Sequence, residues 1–516
     1  MRAVKSILSL LNIVACSFVF DFAFVPYLFQ PAHDLAFMRV GALTPQGAKV
    51  LVRDPEASSV QLWTTPLAIK DPVSRDAIMD RILHPAETVS SDTQASEGVP
   101  WTYALELNFP ANQDFVQVAE FTTLEPSTYY AVKGVRRFAN ATETEINRVV
   151  FRTAPVRLTP AQAASSLTSP GVRFQFGTGS CIKPNFPYVP MSTSRLPGLR
   201  RLSRHPIEFM LFLGDFIYAD VPYFFGPALE DYRRLYRQVY SDPDALPYLQ
   251  KIPTIHIYDD HEILNDWDRR DAFPMSNALR AYEEYNGWAN PDAPGQGKNA
   301  GSDAPSASST SLPVNQRRPT YFDFEYGDVA FFVMDARRYR SHIRQPDSAN
   351  KTMLGAEQKQ YLFDWLRAVN HTHAFKFIAS SVPLTKNWVW ANGQTDTWAG
   401  YLTERSEILR VVATVPNVIF LTGDRHEAID DRPIDFSTSP VNQFYVPLFD
   451  SFNTTTDLDD SIFYRREGNT KFGIFTVDTQ SNPDQPTATY QLYTEEGDGQ
   501  YPIFNFTVYG KKWRKG

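Results

Sequence analysis

The sequence predicts an α/β domain preceded by a small all-β sandwich, and three observations carry that expectation. From Arg173 to Leu492 short apolar runs alternate with helix-length segments, the pattern of helices covering a sheet or a pair of sheets. From about Val40 to Thr153 strand-like runs recur between turn residues without helical patterns, which fits an antiparallel sandwich. Between the two, APVRLTPAQAASSLTSP at 154–170 has the composition of a linker. A chain of 516 residues, 43% of them hydrophobic, has room for a sizeable core and roughly two to three domains.

The chain opens with Arg2 and Lys5, then the apolar run Ile7–Phe20, then Asp21 and a second apolar stretch ending near Phe29. Residues 1–30 are expected to be a signal peptide or an uncleaved signal anchor, which places the rest in the secretory pathway, secreted or membrane-anchored with its catalytic region extracytoplasmic. Asp21 and Pro26 weigh against a plain membrane span, since a charge near mid-bilayer costs about 2.5–3.5 kcal/mol on insertion scales. The only cysteines are Cys16, in the leader, and Cys181, so a mature chain forms no internal disulfide. Sequons at Asn140, Asn350, Asn370, Asn453 and Asn505 fit an exported glycoprotein. A net charge of -8 without a clustered basic face gives no footprint for nucleic acid. A small anionic substrate therefore needs a local positive centre, such as metal ions. The basic run Lys511–Lys515 reads as a solvated tail.

The sandwich is expected over residues 36–155, from runs at Ala48–Val52, Val60–Thr64, Tyr103–Leu107, Phe115–Phe121, Tyr129–Val135 and Arg148–Arg152. It holds no catalytic cluster. The α/β domain is expected over 171–510, with strands at Arg173–Phe176, Ile207–Leu213, Ile252–Tyr258, Val329–Met334, Phe375–Ala379, Val418–Leu421, Phe472–Val477 and Thr489–Leu492. Helices are expected at Ala228–Tyr240, Ser276–Trp288, Gly355–Asn370 and Thr403–Thr414. Residues 290–319, rich in Pro, Gly, Ser, Ala and Asn, read as a low-complexity surface insertion with almost nothing to bury.

The organising stretch is FMLFLGDFIYAD, Phe209–Asp220. Its apolar half is too short for a helix and runs into Gly214 and Asp215, as a buried strand ending in a polar turn does. Other apolar runs end likewise. One leads to Gly179, Ser180 and Cys181; another to Asp259, Asp260, His261, Glu262, Asn265 and Asp266; a third to Gly423, Asp424, Arg425, His426 and Glu427. Ligands of open α/β sheets bind outside the carboxyl ends of strands, so clusters distant in sequence can converge there. Singly, each residue has an ordinary account: Cys181 as a small core residue, Asp259 or Asp260 as a cap, the imidazoles as satisfied interior groups. Together, carboxylates, an amide, imidazoles, a thiol and a phenol suit a multinuclear metal site. Only two of the nine histidines fall in these clusters, which argues against a zinc site built mainly of imidazoles. The donors point instead to a hard trivalent ion with calcium-like divalent ions beside it.

The stretches GTGSC at 177–181, GDFIYAD at 214–220, DDHEILNDW at 259–267, MDARRYR at 334–340, SSVPL at 380–384, DTWAGYLTER at 396–405 and GDRHE at 423–427 resemble, in order and spacing, the PhoD-like alkaline phosphatases. The resemblance covers roughly residues 172–480, and the preceding sandwich is similar to the N-terminal domain of that family. It implies a metallophosphatase core of two packed mixed sheets flanked by helices. It also implies Fe3+ held by Cys181, Asp215 and Tyr218, with Ca2+ completing the site and other divalent metals as alternatives. Asp260 matches a metal-binding asparagine of the wider fold, and His261 a histidine that stabilises the transition state. Asp424 and His426 stand where related enzymes carry a pair of histidines and are read as metal-site residues. Asn265 is a further candidate ligand, and Arg338 competes with Arg337 for contact with phosphate.

The function expected is hydrolysis of phosphomonoesters, phosphodiesters or both by attack of a metal-bound hydroxide, with His261, Asp260 and Arg338 in the catalytic group. A phospholipase or phosphodiesterase on the same site is the first alternative, with a phospholipid substrate and attachment through the N-terminus. Trp388, Trp390 and Trp398 in the loop 387–398 would then form an apolar wall, unless that loop is simply packed. A catalytically degenerate surface-binding protein is the second. Against it, every matched ligand position carries a metal-competent side chain.

Overall fold

The computed structural model describes residues 2–29, 32–69, 72–84, 99–157, 171–184, 195–294, 318–388, 392–423, 427–429, 434–443, 459, 461–465 and 467–512. Most of the expected linker and insertion, Trp390, Asn453, the end of the basic tail, and Asp424 and His426 lie outside the described residues. The chain opens with one long helix, Arg2–Phe29. Among the described residues, no helix is long and apolar enough to cross a membrane.

Seven strands follow: β1 (Phe37–Thr44), β2 (Gly47–Arg53), β3 (Ser59–Leu67), β4 (Thr102–Leu107), β5 (Val116–Phe121), β6 (Tyr129–Arg137) and β7 (Glu143–Arg152). They form two antiparallel sheets, ordered β1-β2-β5 and β4-β3-β6-β7. Met38, Val50, Val60, Leu62, Val132 and Val149 fill the space between them, the in-facing half of an alternating pattern. A helix at Pro72–Leu83 packs on β7, where the sequence had offered no helical period.

The α/β region begins with β8 (Arg173–Gly179), β9 (Phe209–Leu213) and β10 (Thr254–Ile257), which pair in parallel. β11 (Phe322–Tyr326), β12 (Val329–Val333), β13 (Phe375–Ser380), β14 (Val418–Thr422), β15 (Glu427–Ile429), β16 (Ile434–Ser437) and β17 (Ser461–Tyr464) make a second sheet, ordered β11-β12-β13-β14-β16-β15-β17. β18 (Lys471–Asp478), β19 (Thr487–Thr494) and β20 (Phe504–Tyr509) complete the first as β10-β9-β8-β18-β19-β20. Each sheet is mixed: parallel in the middle of the fold, antiparallel where β18–β20 or β15 and β17 turn back and where β11 pairs with β12.

The two mixed sheets face each other through aromatic rings. Phe176 on β8 stacks between Phe209 and Phe475 at 5.4 and 5.1 Å, and meets Phe331 and Phe377 of the other sheet edge-on at 5.3 and 5.1 Å. Helices Leu229–Tyr240 and Met275–Tyr285 share the apolar layer on the outer face of the first sheet; Gly355–Val369 and Leu402–Val412 share that of the second. Strands such as β9, covered on both faces, therefore read as unbroken apolar runs. The N-terminal sheets join this body closely. A Cβ on Gly41 of β1 would lie 2.1 Å from the Ala289 carbonyl oxygen, and the buried Arg39 donates to the carbonyls of Thr254, Tyr285 and Asn286.

Candidate metal centre

The parallel strands β8, β9 and β10 all run the same way, so their carboxyl ends open onto one edge of the sheet. At that edge the backbone leaves the strand conformation: φ is +98° at Gly214, +56° at Asp215 and +64° at Cys181. Gly214 is required there, because a Cβ would come within 2.6 Å of the Asp259 Cβ. The turns are tied together by backbone bonds, Cys181 N to Gly214 O at 3.1 Å and Ile182 N to Asp215 O at 2.8 Å.

Glu262 fastens the ends of β9 and β10. Its buried carboxylate accepts from the backbone N–H groups of Asp215 at 3.0 Å, Phe216 at 2.6 Å and Asp259 at 2.8 Å. Around Asp215 gather Cys181, whose Sγ lies 3.3 Å from Oδ2, and Tyr218, whose hydroxyl donates to the same oxygen at 3.1 Å. The same hydroxyl lies 2.7 Å from Gln443 Oε1, the alternative acceptor for its one proton. The other oxygen of Asp215, Oδ1, is buried and has no hydrogen-bond partner among the described residues. Ligand atoms of Asp215, Asp260 and His261 all lie within 4.8 Å of one another.

Burial, with Asp259, Asp260 and Glu262 nearby, holds the Asp215 carboxyl well above the usual carboxylate range, despite the opposing influence of His261. Burial likewise drives Glu262 up to about 8. For His261 burial works the other way, and the carboxylates of Asp215, Asp260 and Asp220 override it to raise its pKa well above the ordinary value. Its ring stacks on Tyr218 at 4.3 Å. Nδ1 sits 2.7 Å from Asp220 Oδ1, while Asp220 Oδ2 accepts the Asn265 backbone N–H at 2.6 Å.

Arg337 is fully buried and clamps three acids: Asp259 at 2.5 and 2.9 Å, Asp260 at 3.3 Å, and Asp396 at 2.8 and 3.0 Å. Arg340 completes the pairing of Asp396 at 2.6 Å. A second acid group, Asp260, Asp266 and Asp396, has its oxygens equally close together, but its Asp396 corner is already neutralised by the two guanidinium groups.

Cys181, Asp215, Tyr218, Asp260 and His261 thus come together. Asn265 is exposed and is fixed here through its backbone N–H. Arg338 does not join them: its guanidinium pairs with Asp271 at 3.0 Å and donates to the Arg318 carbonyl at 3.0 Å. Arg337 is saturated by the three acids it pairs with. Trp388 and Trp398 are buried, which makes the described part of their loop packed interior rather than an exposed wall. Sequence reasoning passed over Asp220, Glu262, Gln443 and Asp396 as site residues. Asp220, Glu262 and Asp396 lay inside quoted motifs, and the signal for the first two was their spacing from Asp215 and His261; Gln443 carried none.

The residues present fit a bound cation. An acid with an orphaned buried oxygen, like-charged neighbours that raise its pKa, and a thiol, a phenol and an imidazole in reach make a donor set left incomplete by protein groups alone. Facing mixed sheets with such a set at their strand ends define a metallophosphatase.

The family described as PhoD-like phosphatase matches residues 178–444. Alkaline phosphatase D of Bacillus subtilis (strain 168) is 24% identical over 440 residues, spanning 76% of this chain and 66% of that protein. Among solved structures, that of PhoD aligns with a TM-score of 0.56 at 17% identity, covering 91% of this chain and 92% of its own. The purple acid phosphatase PPD1 from yellow lupin (Lupinus luteus) seeds aligns at 0.55 and 12% identity, covering 92% and 74%. This chain belongs to the PhoD-like phosphatase family, a group of metal-dependent phosphohydrolases acting on phosphate esters.

Proposed function

We propose that the chain hydrolyses phosphomonoesters, phosphodiesters or both at the ends of β8, β9 and β10. The observation that carries this reading is the convergence of Asp215, Asp260 and His261 within 4.8 Å, with one Asp215 oxygen left unpartnered. Bound metal ions would supply Lewis acidity toward the phosphoryl oxygens and a water activated as nucleophile. Cys181, Asp215 and Tyr218 would hold Fe3+, with Ca2+ completing the site, and Asp260, Asn265, Asp424 and His426 would be the further metal-site residues. The protein's own groups do the rest. Asp220 holds Nδ1 of His261, which leaves Nε2 free to donate to a phosphoryl or leaving-group oxygen. Arg337 fixes Asp260 in place and Glu262 fixes the Asp215 turn.

The test is metal analysis of the purified protein beside hydrolysis of p-nitrophenyl phosphate and bis(p-nitrophenyl) phosphate. Turnover is expected to vanish on chelation and return with metal. Iron held by a thiolate and a phenolate is expected to give a visible absorption band that weakens in Cys181→Ser and Tyr218→Phe. No hydrolysis of either ester by metal-loaded protein overturns the function; a colourless, zinc-only active protein overturns the iron assignment alone.

The compartment reading is that residues 1–30 act as a leader or anchor and that the chain is exported and glycosylated, with a sandwich domain at 36–155 and the phosphatase domain at 171–510. One observation favours a lipid-borne ester as an additional substrate. Phe24 of the apolar N-terminal helix packs on Tyr223 at 5.8 Å, directly after the Asp215–Asp220 turn, and the neighbouring Phe224 is exposed. Release of glycerol or glycerol phosphate from phosphatidylglycerol vesicles tests it, and hydrolysis of soluble esters only would exclude it.

A further inference from the structure

The segment 438–443, which follows β16, runs alongside 180–183, which follows β8, with Asn442 bridged in parallel to Ile182. Val441 N donates to Ser180 O at 2.8 Å, Asn442 N to Cys181 O at 3.1 Å, and Lys183 N back to Asn442 O at 2.8 Å. From β18 and its approach, Lys471 N donates to Pro440 O at 2.6 Å, and Gln443 N donates to Asn469 O at 3.0 Å. Val441, in the middle of the segment, is fully buried. A backbone held in this way sets the positions of the side chains it carries.

Two of those side chains reach the metal centre. Ser439 is buried, and its hydroxyl donates to Cys181 Sγ at 3.4 Å. Gln443 Oε1 lies 2.7 Å from the Tyr218 hydroxyl oxygen. A neutral thiol gives the Ser439 hydroxyl little, because its sulfur is a weak acceptor. Yet Ser439 has no other acceptor among the described residues, and Ser180 Oγ lies against the same sulfur at 3.3 Å. With the one thiol proton directed to Asp215 Oδ2, also at 3.3 Å, both hydroxyls face sulfur lone pairs. Such donors become strong partners when the sulfur is an anion. The amide of Gln443 suits either form of the phenol. Oε1 accepts from the hydroxyl, and after a half-turn Nε2 donates to a phenolate at the same reach.

We infer that Ser439 and Gln443 are positioning residues of the metal centre, the first donating to Cys181 and the second to Tyr218 when those side chains hold a cation. The inference rests on the ligand reading of Cys181 and Tyr218 given above. Hydrogen bonds to the sulfur and the oxygen fix where these atoms lie and draw charge from them, so that less of it reaches the cation.

Titration of the chelated full chain with Co2+ tests this without turnover and without the iron assignment, because a thiolate-to-cobalt band in the near ultraviolet reports the sulfur. Wild type is expected to show the band and Cys181→Ser to lack it. Ser439→Ala is expected to bind Co2+ about 10- to 100-fold more weakly, with the band moved to longer wavelength, since a thiolate that has lost a donor gives up its electron more readily. Gln443→Leu is expected to weaken binding by a similar factor with the band unmoved, because the amide serves the phenol and not the sulfur. Both variants are expected to keep the urea midpoint of the chelated wild type, which a merely structural role would not allow. Each variant carries the test if the other fails to fold. Unchanged affinity and band in both variants overturn the inference while the metal site stands. Weaker binding by Ser439→Ala with an unmoved band, or weaker binding by either variant matched by a lower urea midpoint, makes that contact structural and overturns its assignment. A wild type without the thiolate band overturns the inference together with the ligand reading of Cys181.

Discussion

In the seam between the N-terminal sheets and the phosphatase region, Asp114 lies between Arg53, at 3.1 Å, and Arg237, at 2.6 Å, and also accepts from the Tyr285 hydroxyl. At the ends of β9 and β10, Asp215, Asp259, Asp260 and Glu262 crowd around Arg337 and His261. Both places bury charge. In the seam, burial works against the Asp114 carboxylate, yet the two guanidinium groups hold its pKa below the ordinary value. At the strand ends, burial and like charges leave Asp215 far above it. The seam is a closed electrostatic account, whereas the strand ends are complete only with cations added. What separates glue from site is the balance of buried charge, not its amount.

The largest effect that would break this contrast is at His261. If its role lies in the transition state, His261→Ala retains fold and metal while kcat falls by about 10²- to 10⁴-fold. Asp220→Ala, which removes only the partner of Nδ1, is expected to lower kcat by about 10- to 100-fold with KM little changed. Steady-state kinetics with metal counts check both. Unchanged turnover in His261→Ala at normal metal content removes it from the mechanism.

The next pair of substitutions sets the two regions directly against each other. Asp114→Ala leaves the buried Arg53 without a carboxylate and Arg237 with Glu230 alone, and is expected to destabilise by about 3–5 kcal/mol. Asp215→Asn takes one charge from an overfull cluster, so in chelated protein it is expected to stabilise by about 1–3 kcal/mol while abolishing metal uptake. Urea denaturation of metal-free samples measures both. A loss of stability in Asp215→Asn would mean that the strand-end acids are balanced by protein groups after all, and the comparison would fail.

Much of this arrangement was legible in the sequence because it is local. Each buried parallel strand is an unbroken apolar run, and its polar end follows at once in the chain, so Cys181, Asp215, Tyr218, Asp260 and His261 could be picked out before any contact was known. The amphipathic helices also fell within a few residues of their observed bounds. β1 escaped notice because Arg39 and Gly41 interrupt its pattern; their reason is tertiary, a buried guanidinium and a close approach to Ala289. The short β10 was drawn too long because Pro253 and the polar turn at Tyr258 bound it only in three dimensions. The sequence could not separate Arg337 from Arg338 because MDARRYR offers adjacent arginines, and only packing decides that one meets Asp259, Asp260 and Asp396 while the other meets Asp271. Asp396 is equally non-local, since its partners stand 59 and 56 positions away.

The smallest expected effect sharpens the comparison from a third side, a buried charge that is unbalanced and yet belongs to no cluster. Lys376 on β13 is fully buried, and its ammonium donates to the carbonyls of Asn370 at 2.8 Å and Pro416 at 3.1 Å; no carboxylate among the described residues pairs with it. Burial lowers its pKa to about 7. An unfolded lysine keeps its proton up to about pH 10.4. Between those values the unfolded chain therefore binds more protons than the folded one, so stability rises with pH across that window, by at most about 1.4 kcal/mol per unit. Below pH 7 the cost of burying the charge is fully present, and above the unfolded pKa it is gone. Lys376→Met removes both the cost and the slope, and its net gain at pH 7 is expected to be up to about 1 kcal/mol after the two carbonyl contacts are lost. Urea midpoints of wild type and variant at pH 7, 8 and 9 give the answer: the wild-type curve should climb with pH, overtake the variant's and lie above it by pH 9. Parallel curves, or a variant clearly weaker than wild type at pH 7, would show that two carbonyls suffice to hold a buried ammonium, and that an unbalanced charge marks a site only where several like charges meet.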